Sequence, residues 1–330
     1  MIHNIKVLLV LILINQNSFS QEGIAVYSDY LSDNYYLIHP SMAGAANCAK
    51  IRLTSRKQWF GQDDAPMLNT LSFNGRVSEK VGAGIILFND KNGFHSQKGL
   101  KATYAYHIMF SRDEIDLNQL SFGISTGLIQ NQLDETSFDN SNNDPAISGQ
   151  IQNSSYFNID IGASYNYLDL YLHATLQNAI ETRREIYTES ETDNLRKYLL
   201  SFGYVFGDKE NILWEPSILF QLVGKTKEKQ IDINMKAYKN FDYGKLWGCL
   251  SYRRSFDSAE FLNGSVISSQ KLQYITPIVG FNFKNYMFAY TYSHVSGDTK
   301  FDNGGFHQIT LGFNLFCKKE RYECNCPIIN

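Results

Sequence analysis

The sequence predicts an all-β protein, a transmembrane antiparallel β-barrel of about fourteen strands. Apolar residues alternate with polar or small ones along most of the chain, and no long segment has a helical period. Short and long connections alternate between these segments. Of 330 residues, 43% are hydrophobic, 14% are aromatic and only 19% are charged, less than the roughly 25% charged residues of soluble domains. These features are typical of a sheet closed in lipid, where every backbone polar group must be paired.

The first twenty residues have the form of a signal peptide. Lys6 precedes an apolar run from Val7 to Ile14, and Ser18 and Ser20 form a small-x-small cleavage site. The run is too short to span a bilayer as a helix. A buried N-terminal helix or strand is the alternative interpretation. We expect the next segment, residues 21–50, to lie at or in the mouth of the barrel.

The alternation defines the strands. From residue 157 to 167, aliphatic or aromatic side chains or Ala occupy the odd positions, and Asn, Asp, Gly or Ser the even ones. Such a segment can face lipid on one side and a polar lumen on the other. A soluble β-sandwich or propeller, which also alternates, is the alternative fold. Within a barrel of residues 51–316, the predicted strands lie near 51–59, 67–77, 80–89, 98–110, 118–130, 155–168, 169–178, 195–207, 212–224, 229–239, 244–254, 271–283, 285–294 and 305–316.

The connection lengths distinguish the two ends of the barrel. Very short connections, such as 78–79 and 284–285, fall at even-numbered places, whereas the long loops span 131–154, 179–194 and 255–270. Outer-membrane barrels have short periplasmic turns and long outer loops. Both termini are therefore expected in the periplasm, with residues 317–330 as a Cys-containing periplasmic tail.

Charge and motifs argue against nucleic-acid binding and catalysis. The net charge is −3 and there is no basic tract. Neither a Gly-x-Ser-x-Gly elbow nor a phosphate-cradling or dinucleotide-binding loop occurs. His107 and His173 are expected to face the lumen and could meet there, but we interpret them as satisfied lumen groups. We therefore expect no catalytic, cofactor or metal site.

The five cysteines are an odd number for an exported protein. Cys317, Cys324 and Cys326 all lie in the last fourteen residues. Three interpretations are open for them: a disulfide between Cys317 and the Cys324-x-Cys326 pair outside the barrel, a metal site, or a plain tail. No companion His or Cys has the spacing of a zinc site.

An ordered series of short motifs runs from residue 39 to about residue 130. It begins with His39-Pro40-Ser41-Met42-Ala43-Gly44 and continues through the segments 56–59, 65–66, 71–75, 89–91, 99–100, 104–107 and 120–123. The series resembles the PorP/SprF family of outer-membrane proteins, whose opening motif is Asn-Pro-Ala-x-Ala-Gly; His39 and Ser41 depart from that motif. The positions that the resemblance marks are Pro40, Gly44, Arg56, Gln58, Trp59, Pro66, Phe73, Gly75, Asn89, Asp90, Gly99, Tyr104 and His107.

The resemblance implies a role in type IX secretion in the Bacteroidetes, which also serves gliding motility. Family members are non-enzymatic outer-membrane barrels that partner particular secreted cargo, often adhesins with a type B C-terminal domain, and components of the secretion machinery. Outer-membrane lipid is the other expected partner, and nucleic acid is not. Two other functions remain open: a solute channel or transporter, and a structural or adhesive barrel whose loops bind surfaces directly.

Polar and large residues at inward positions predict a filled lumen. Arg56, Gln58 and Arg76 alternate with apolar neighbours, and we expect an Arg–carboxylate network around them, ordinary lumen packing being the alternative. Trp59 is expected to be an anchor at the membrane interface. The predicted acidic partners are Asp63, Asp64, Glu79 and Asp90, and the large inward residues that argue against an open channel are Tyr171, Trp247 and Arg253.

Overall fold

Fourteen antiparallel strands form one closed sheet in the computed structural model, which describes residues 28–58, 65–111, 116–136, 138, 149–182, 195–263, 266–296, 305–318 and 324–325. Each strand pairs with the next in the chain, and the last pairs with the first. This arrangement confirms the predicted barrel and its strand number. Among the described residues, no helix is long and apolar enough to cross a membrane.

The strands are numbered in chain order. Strand β8 is interrupted at Val205, but both of its parts pair with β9. The strands are β1 Ala49–Gln58, β2 Met67–Arg76, β3 Val81–Asn92, β4 His95–Met109, β5 Asn118–Asp134, β6 Ile151–Tyr167, β7 Leu170–Gln177, β8 Lys197–Tyr204 with Phe206–Gly207, β9 Leu213–Val223, β10 Lys229–Phe241, β11 Gly244–Asn263, β12 Val266–Phe283, β13 Tyr286–Ser296 and β14 Gly305–Leu315. Three short 3₁₀ turns precede them, at Ser28–Leu31, Tyr35–Leu37 and Pro40–Met42.

The polarity of the barrel is reversed relative to a soluble protein. Along β5 the buried positions from 119 to 131 alternate with outward ones. On the outside, one leucine from each of the first five strands pairs in register with the next, and each is at least 40% exposed. Contiguous exposed apolar surface of this kind requires a lipid environment. The five leucines are Leu53, Leu71, Leu87, Leu100 and Leu128.

The predicted outer loop at 255–270 is wrong. Strands β11 and β12 continue through most of this stretch and pair up to Asn263 and Val266. The sequence pattern missed this hairpin because a strand beyond the bilayer has no need of an apolar face, so its residues do not alternate. Among the described residues, the hairpins of β5 with β6 and of β11 with β12 contain the longest strands, which extend the wall at the end opposite the short turns.

The outward face of β5 offers a direct test of membrane embedding. Leu128→Arg should lower the free energy of unfolding by about 2 kcal/mol, because it places a cation against lipid. Gln130→Arg is the matched control on the same strand and face, where the wall has become polar, and should cost well under about 1 kcal/mol. Urea unfolding of the barrel in lipid vesicles measures both values, and equal costs would contradict this placement.

Candidate functional site

Residues 30–46, called the plug below, fill the interior of the barrel. Every plug residue except Asp33 is buried. The short 3₁₀ turns fold the segment compactly, and Pro40 opens one of them, where its fixed φ is favourable. Because the plug lies between the strands and the first strand starts at Ala49, it enters from the end that holds the short turns.

The plug forms side-chain hydrogen bonds around most of the wall. Neutral hydroxyl and amide groups provide many of these contacts, which suits buried polar groups that need partners but carry no charge. The contacts are Asn34 with Ser72 on β2, Tyr36 with Thr103 on β4, Ser41 with Ser164 on β6, His39 with Thr175 on β7 and Ser201 on β8, Tyr35 with Glu215 on β9, and Tyr30 with Asp232 on β10.

Asp33 ties the plug to the seam where the barrel closes. Its carboxylate lies 3.0 Å from Nζ of Lys50 and 3.0 Å from Nη2 of Arg52, both on β1. The same Arg52 nitrogen donates to Asn314 Oδ1 on β14 at 2.9 Å. Burial alone would raise the pKa of Asp33, but the two cations outweigh it and hold that pKa below its usual range. Arg52, which is fully buried, therefore has a charged partner.

A buried carboxylate joins the plug to the opposite wall. Glu215 is 1% exposed, and Tyr171 donates a hydrogen bond to its Oε1 at 2.7 Å. Tyr35 of the plug lies 3.3 Å from that oxygen and 2.8 Å from the Tyr171 hydroxyl, while Tyr238 donates to Oε2. Three phenols thus surround one carboxylate, which is how a buried charge avoids an uncompensated desolvation cost.

Two facing glycines make room for the Pro40 turn. Gly123 and Gly162 are register partners on β5 and β6, and both face the lumen. A Cβ on Gly123 would lie 2.3 Å from the Pro40 carbonyl carbon, and one on Gly162 would lie 3.1 Å from Pro40 Cδ. The backbone of the plug therefore packs directly on the backbone of the wall.

The histidines of the lumen contact different parts of the plug. His107 donates through Nε2 to the Ala43 carbonyl at 3.0 Å, while its Nδ1 lies 2.8 Å from Ser121 Oγ. The His173 ring packs edge-to-face on His39 with centroids 5.0 Å apart. Burial, with His173 adding to it, holds the pKa of His39 well below its usual range, so its ring is neutral. His107 and His173 both face the lumen as predicted. The prediction that both are satisfied holds for His107 but is wrong for His173, because neither of its ring nitrogens has a hydrogen-bond partner among the described residues.

Four of the positions marked by the resemblance meet at the plug. Pro40 and Gly44 belong to it, His107 binds its Ala43 carbonyl, and Gly75 touches it at Gly44. Gly44 has φ +66°, and a Cβ there would lie 2.6 Å from the Gly75 carbonyl oxygen. Only glycine fits this position without strain.

The other marked positions are spread along the first strands. Phe73 and Tyr104 face outward and are 43% and 52% exposed. Gly99 lies under the ring of Phe88 on the neighbouring strand. Arg56 lies with its guanidinium 4.8 Å from the centre of the Phe306 ring.

The backbone N–H of Gln58 donates to the Pro66 carbonyl at 2.9 Å. Asn89 and Asp90 occupy β3, where they pair in register with Lys98 and Gln97 on β4. Trp59 lies outside the described residues, so its predicted interface position stays a prediction.

The predicted charge network is present in part, since Arg56 acts electrostatically on the Asp90 carboxylate, and other residues extend it. Arg76 donates to the backbone carbonyls of Gly44 and Ala45, which the plug places beside it, and to that of Glu79 in the turn after β2. Asp63 and Asp64 lie outside the described residues. The close ion pairs of the described lumen are Asp33 with Lys50 and Arg52, Asp160 with Lys101 at 2.6 Å, and Asp232 with Arg253 at 2.7 Å.

The predicted disulfide of Cys317 within the tail is wrong. Cys317 is bonded to Cys48, which stands just before β1. The two are 269 residues apart in sequence but adjacent in space, because β1 and β14 close the barrel. Cys324 is also disulfide-bonded, Cys249 is a free buried thiol, and Cys326 lies outside the described residues.

The tail also contacts the far side of the barrel mouth at the end that holds the short turns. The Lys318 N–H donates to the Asn47 carbonyl beside the disulfide at 3.3 Å. The Asn325 N–H donates to Asp169 in the turn between β6 and β7 at 2.6 Å. That turn is half a circuit away from β14 in the ring of strands.

Sequence reasoning missed several residues that hold the plug. Tyr35, Glu215 and Asp232 belong to no recognisable motif, and their hydrogen-bond partners are distant in the sequence. Tyr171, Trp247 and Arg253 were predicted as large inward side chains, and all three are buried. Within the described residues, no group of three or more His, Cys, Asp or Glu is placed to hold a metal ion.

The fold and the filled lumen define a membrane β-barrel of the outer-membrane type, closed by its own N-terminal segment. A family model described as type IX secretion system membrane protein PorP/SprF matches residues 19–313. The chain therefore belongs to the PorP/SprF family, which confirms the resemblance seen in its motifs. Membership places it in the outer membrane and implies interaction with the type IX secretion machinery.

Solved structures with a similar course of the chain are outer-membrane barrels of low sequence identity. The CymD monoaromatic hydrocarbon channel is 10% identical with a TM-score of 0.44, over 81% of this chain and 86% of that one. CdiB from Acinetobacter baumannii is 9% identical with a TM-score of 0.43, over 81% of this chain and 60% of that one. No curated protein matches the sequence.

The close packing of Gly123 against the Pro40 turn gives a test of the plug. Gly123→Ala should lower the free energy of unfolding by about 1–3 kcal/mol and loosen the plug, because the new methyl meets backbone atoms that cannot move alone. Gly127→Ala is the matched control on the same strand and face, since its methyl meets the flexible Lys101 side chain and lies at an ordinary van der Waals distance of 3.4 Å from the Leu100 carbonyl oxygen. Limited proteolysis of the N-terminal segment together with urea unfolding measures both effects. If the two variants were equally stable and equally resistant to proteolysis, the packing of the plug on Gly123 would be contradicted.

The disulfide gives a second test. Cys48→Ser and Cys317→Ser should each lower the free energy of unfolding by about 3–5 kcal/mol, because each frees the two ends of a very long loop. Their double variant should cost no more than either one. Non-reducing gel mobility and urea unfolding provide the measurements, and a double variant with additive costs would show that the two cysteines do not pair.

Proposed function

We propose that this barrel is a sealed, non-enzymatic component of type IX secretion that binds one secreted surface protein and helps to export or anchor it. The occupied lumen carries the proposal. A barrel whose interior holds its own chain, hydrogen-bonded to strands from β2 to β10, offers partners its two ends rather than a passage. The membership of the family supports the link to secretion.

The partner we propose is an adhesin-like protein that carries a type IX C-terminal signal of type B. Family membership supports this choice, as do the tall hairpins at the end of the barrel opposite the short turns. In a gliding bacterium such a protein would contribute to motility. Residues 1–20 act as the signal peptide in this proposal, and the tail from residue 317 is the periplasmic contact with the machinery.

The geometry of the lumen supports a non-enzymatic function. His107 and Ser121 are within hydrogen-bond distance, as a base and a nucleophile would be, but both are fully buried. The other ring nitrogen of His107 binds the Ala43 carbonyl rather than a carboxylate. A substrate has no access to this pair while the plug is in place, so we interpret it as part of the packing.

A deletion strain tests the proposal. Mass spectrometry of surface and culture-medium proteins should show that one or a few proteins with type IX C-terminal signals leave the cell surface, while other type IX cargo remains. The gene supplied in trans should restore them. An unchanged set of surface proteins would contradict the proposal, and an unchanged set together with lost adhesion would favour a directly adhesive barrel.

Planar-bilayer recordings separate the proposal from a solute channel. The purified barrel should show no steady conductance, because the plug and its hydrogen bonds occupy the lumen. A stable open conductance in the wild-type protein would favour the channel.

A further inference from the structure

The hairpin of β11 and β12 rises beyond the strands beside it. The last pair between β11 and β10 is Ser255 with Gln230, and the last pair between β12 and β13 is Gln273 with Ser296. Strands β11 and β12 then pair only with each other, for six more residue pairs from Ser258–Lys271 to Asn263–Val266. These residues, 258–263 and 266–271, are called the arm below, and they extend the hairpin by about 20 Å along its strands.

A bulge separates the arm from the barrel. The register shifts between Arg254 and Ser258, and the Leu272 N–H donates to Ser255 Oγ at 3.1 Å at the same level. Bulges bend a strand and often redirect it at the rim of a barrel. The arm is therefore a two-stranded ribbon that leaves the wall, and neither of its edges has a neighbouring strand among the described residues.

The edges of the arm have the chemistry of a strand-binding site. Each edge of six residues presents about three N–H and three C=O groups that the hairpin itself does not pair. Native proteins protect exposed edges with lysines, prolines or charges. The ten residues from Phe261 to Gln270 contain no charged residue and no proline. Of the two charged residues of the arm, Lys271 lies in its first pair and Glu260 in its third.

We infer that the arm binds an extended strand of the secreted partner, which pairs its main chain with the edge of β12. This inference rests on the proposed function and names the surface that performs it. The β12 edge is favoured over the β11 edge because Val266 and Ile267 are β-branched, and because its one charged residue, Lys271, lies at the base of the arm whereas Glu260 lies midway along the β11 side. Main-chain hydrogen bonds supply the affinity in this mode of recognition, and side chains of the added strand supply the specificity.

Removal of the arm is the first experiment. Residues 258–271 are replaced by an Asn-Gly turn, which suits a two-residue hairpin. The probe is the purified secreted protein that leaves the surface of the deletion strain. Its affinity for the full-length barrel in detergent should fall about tenfold or more, while the heat-modifiable mobility of the folded barrel should stay unchanged.

Proline substitutions distinguish backbone pairing from side-chain contact. Of the neighbouring residues Ser268 and Ser269, one N–H faces β11 and the other faces the free edge. Ser268→Pro and Ser269→Pro should therefore differ: one disturbs the hairpin, and the other removes only an edge donor and still weakens binding about tenfold. Ser268→Ala and Ser269→Ala are the controls, and both should bind as the wild type does.

Hydrogen exchange provides the second readout. The secreted protein should slow the exchange of amides in 266–271 about tenfold or more. The inference is overturned if the barrel without the arm binds the protein as tightly as the wild type, or if the arm pairs only with the arm of a second copy. If the wild-type barrel binds no protein that depends on it for surface display, the proposed function itself fails.

Discussion

The hydrogen bonding of the inward wall is the constraint on which the rest of the structure depends. A sheet in lipid must close, and closure of fourteen strands encloses more space than its own side chains fill. The inward residues are largely polar, and a buried polar group without a partner costs about 1–3 kcal/mol. The plug meets part of this need, since its tyrosines, asparagine, serine and histidine face hydroxyls and carboxylates on several strands. Other buried wall groups, such as His173 and Thr291, have side-chain atoms without a hydrogen-bond partner among the described residues.

This arrangement places the functional surfaces at the two ends. Asp33 anchors the plug at the seam beside Arg52, and the Cys48–Cys317 disulfide lies at the same seam. The segment between the plug and β1 is therefore fixed at one end by the Asp33 contacts and at the other by the disulfide. What remains available to partners is the mouth at the short-turn end with its tail, and the tall hairpins at the other end.

The strands were predictable because the lipid boundary determines their pattern. Every strand in the bilayer must alternate, so the number of strands and their order could be inferred from the sequence. Beyond the bilayer the apolar–polar alternation stops, so the sequence pattern predicted a loop where the structure has the arm of β11 and β12. The filled lumen could be foreseen in part, from large inward residues such as Trp247 and Arg253.

The contacts of the plug could not be predicted in the same way. Its short turns have no period, and partners such as Tyr35 and Glu215 are 180 residues apart. The resemblance marked Pro40 and Gly44, but only the structure shows that these residues pack against glycines of the barrel wall. The disulfide had an overlooked signal: Cys48 precedes the first strand and Cys317 follows the last, so closure alone brings them together.

Hydrogen–deuterium exchange of the plug in lipid nanodiscs tests the central claim most directly. The amides of residues 34–45 are buried and in part hydrogen-bonded within the plug. They should exchange as slowly as amides of the neighbouring strands β4 and β5, over hours. Exchange within seconds, as in an exposed terminal segment, would contradict a barrel sealed by its own chain.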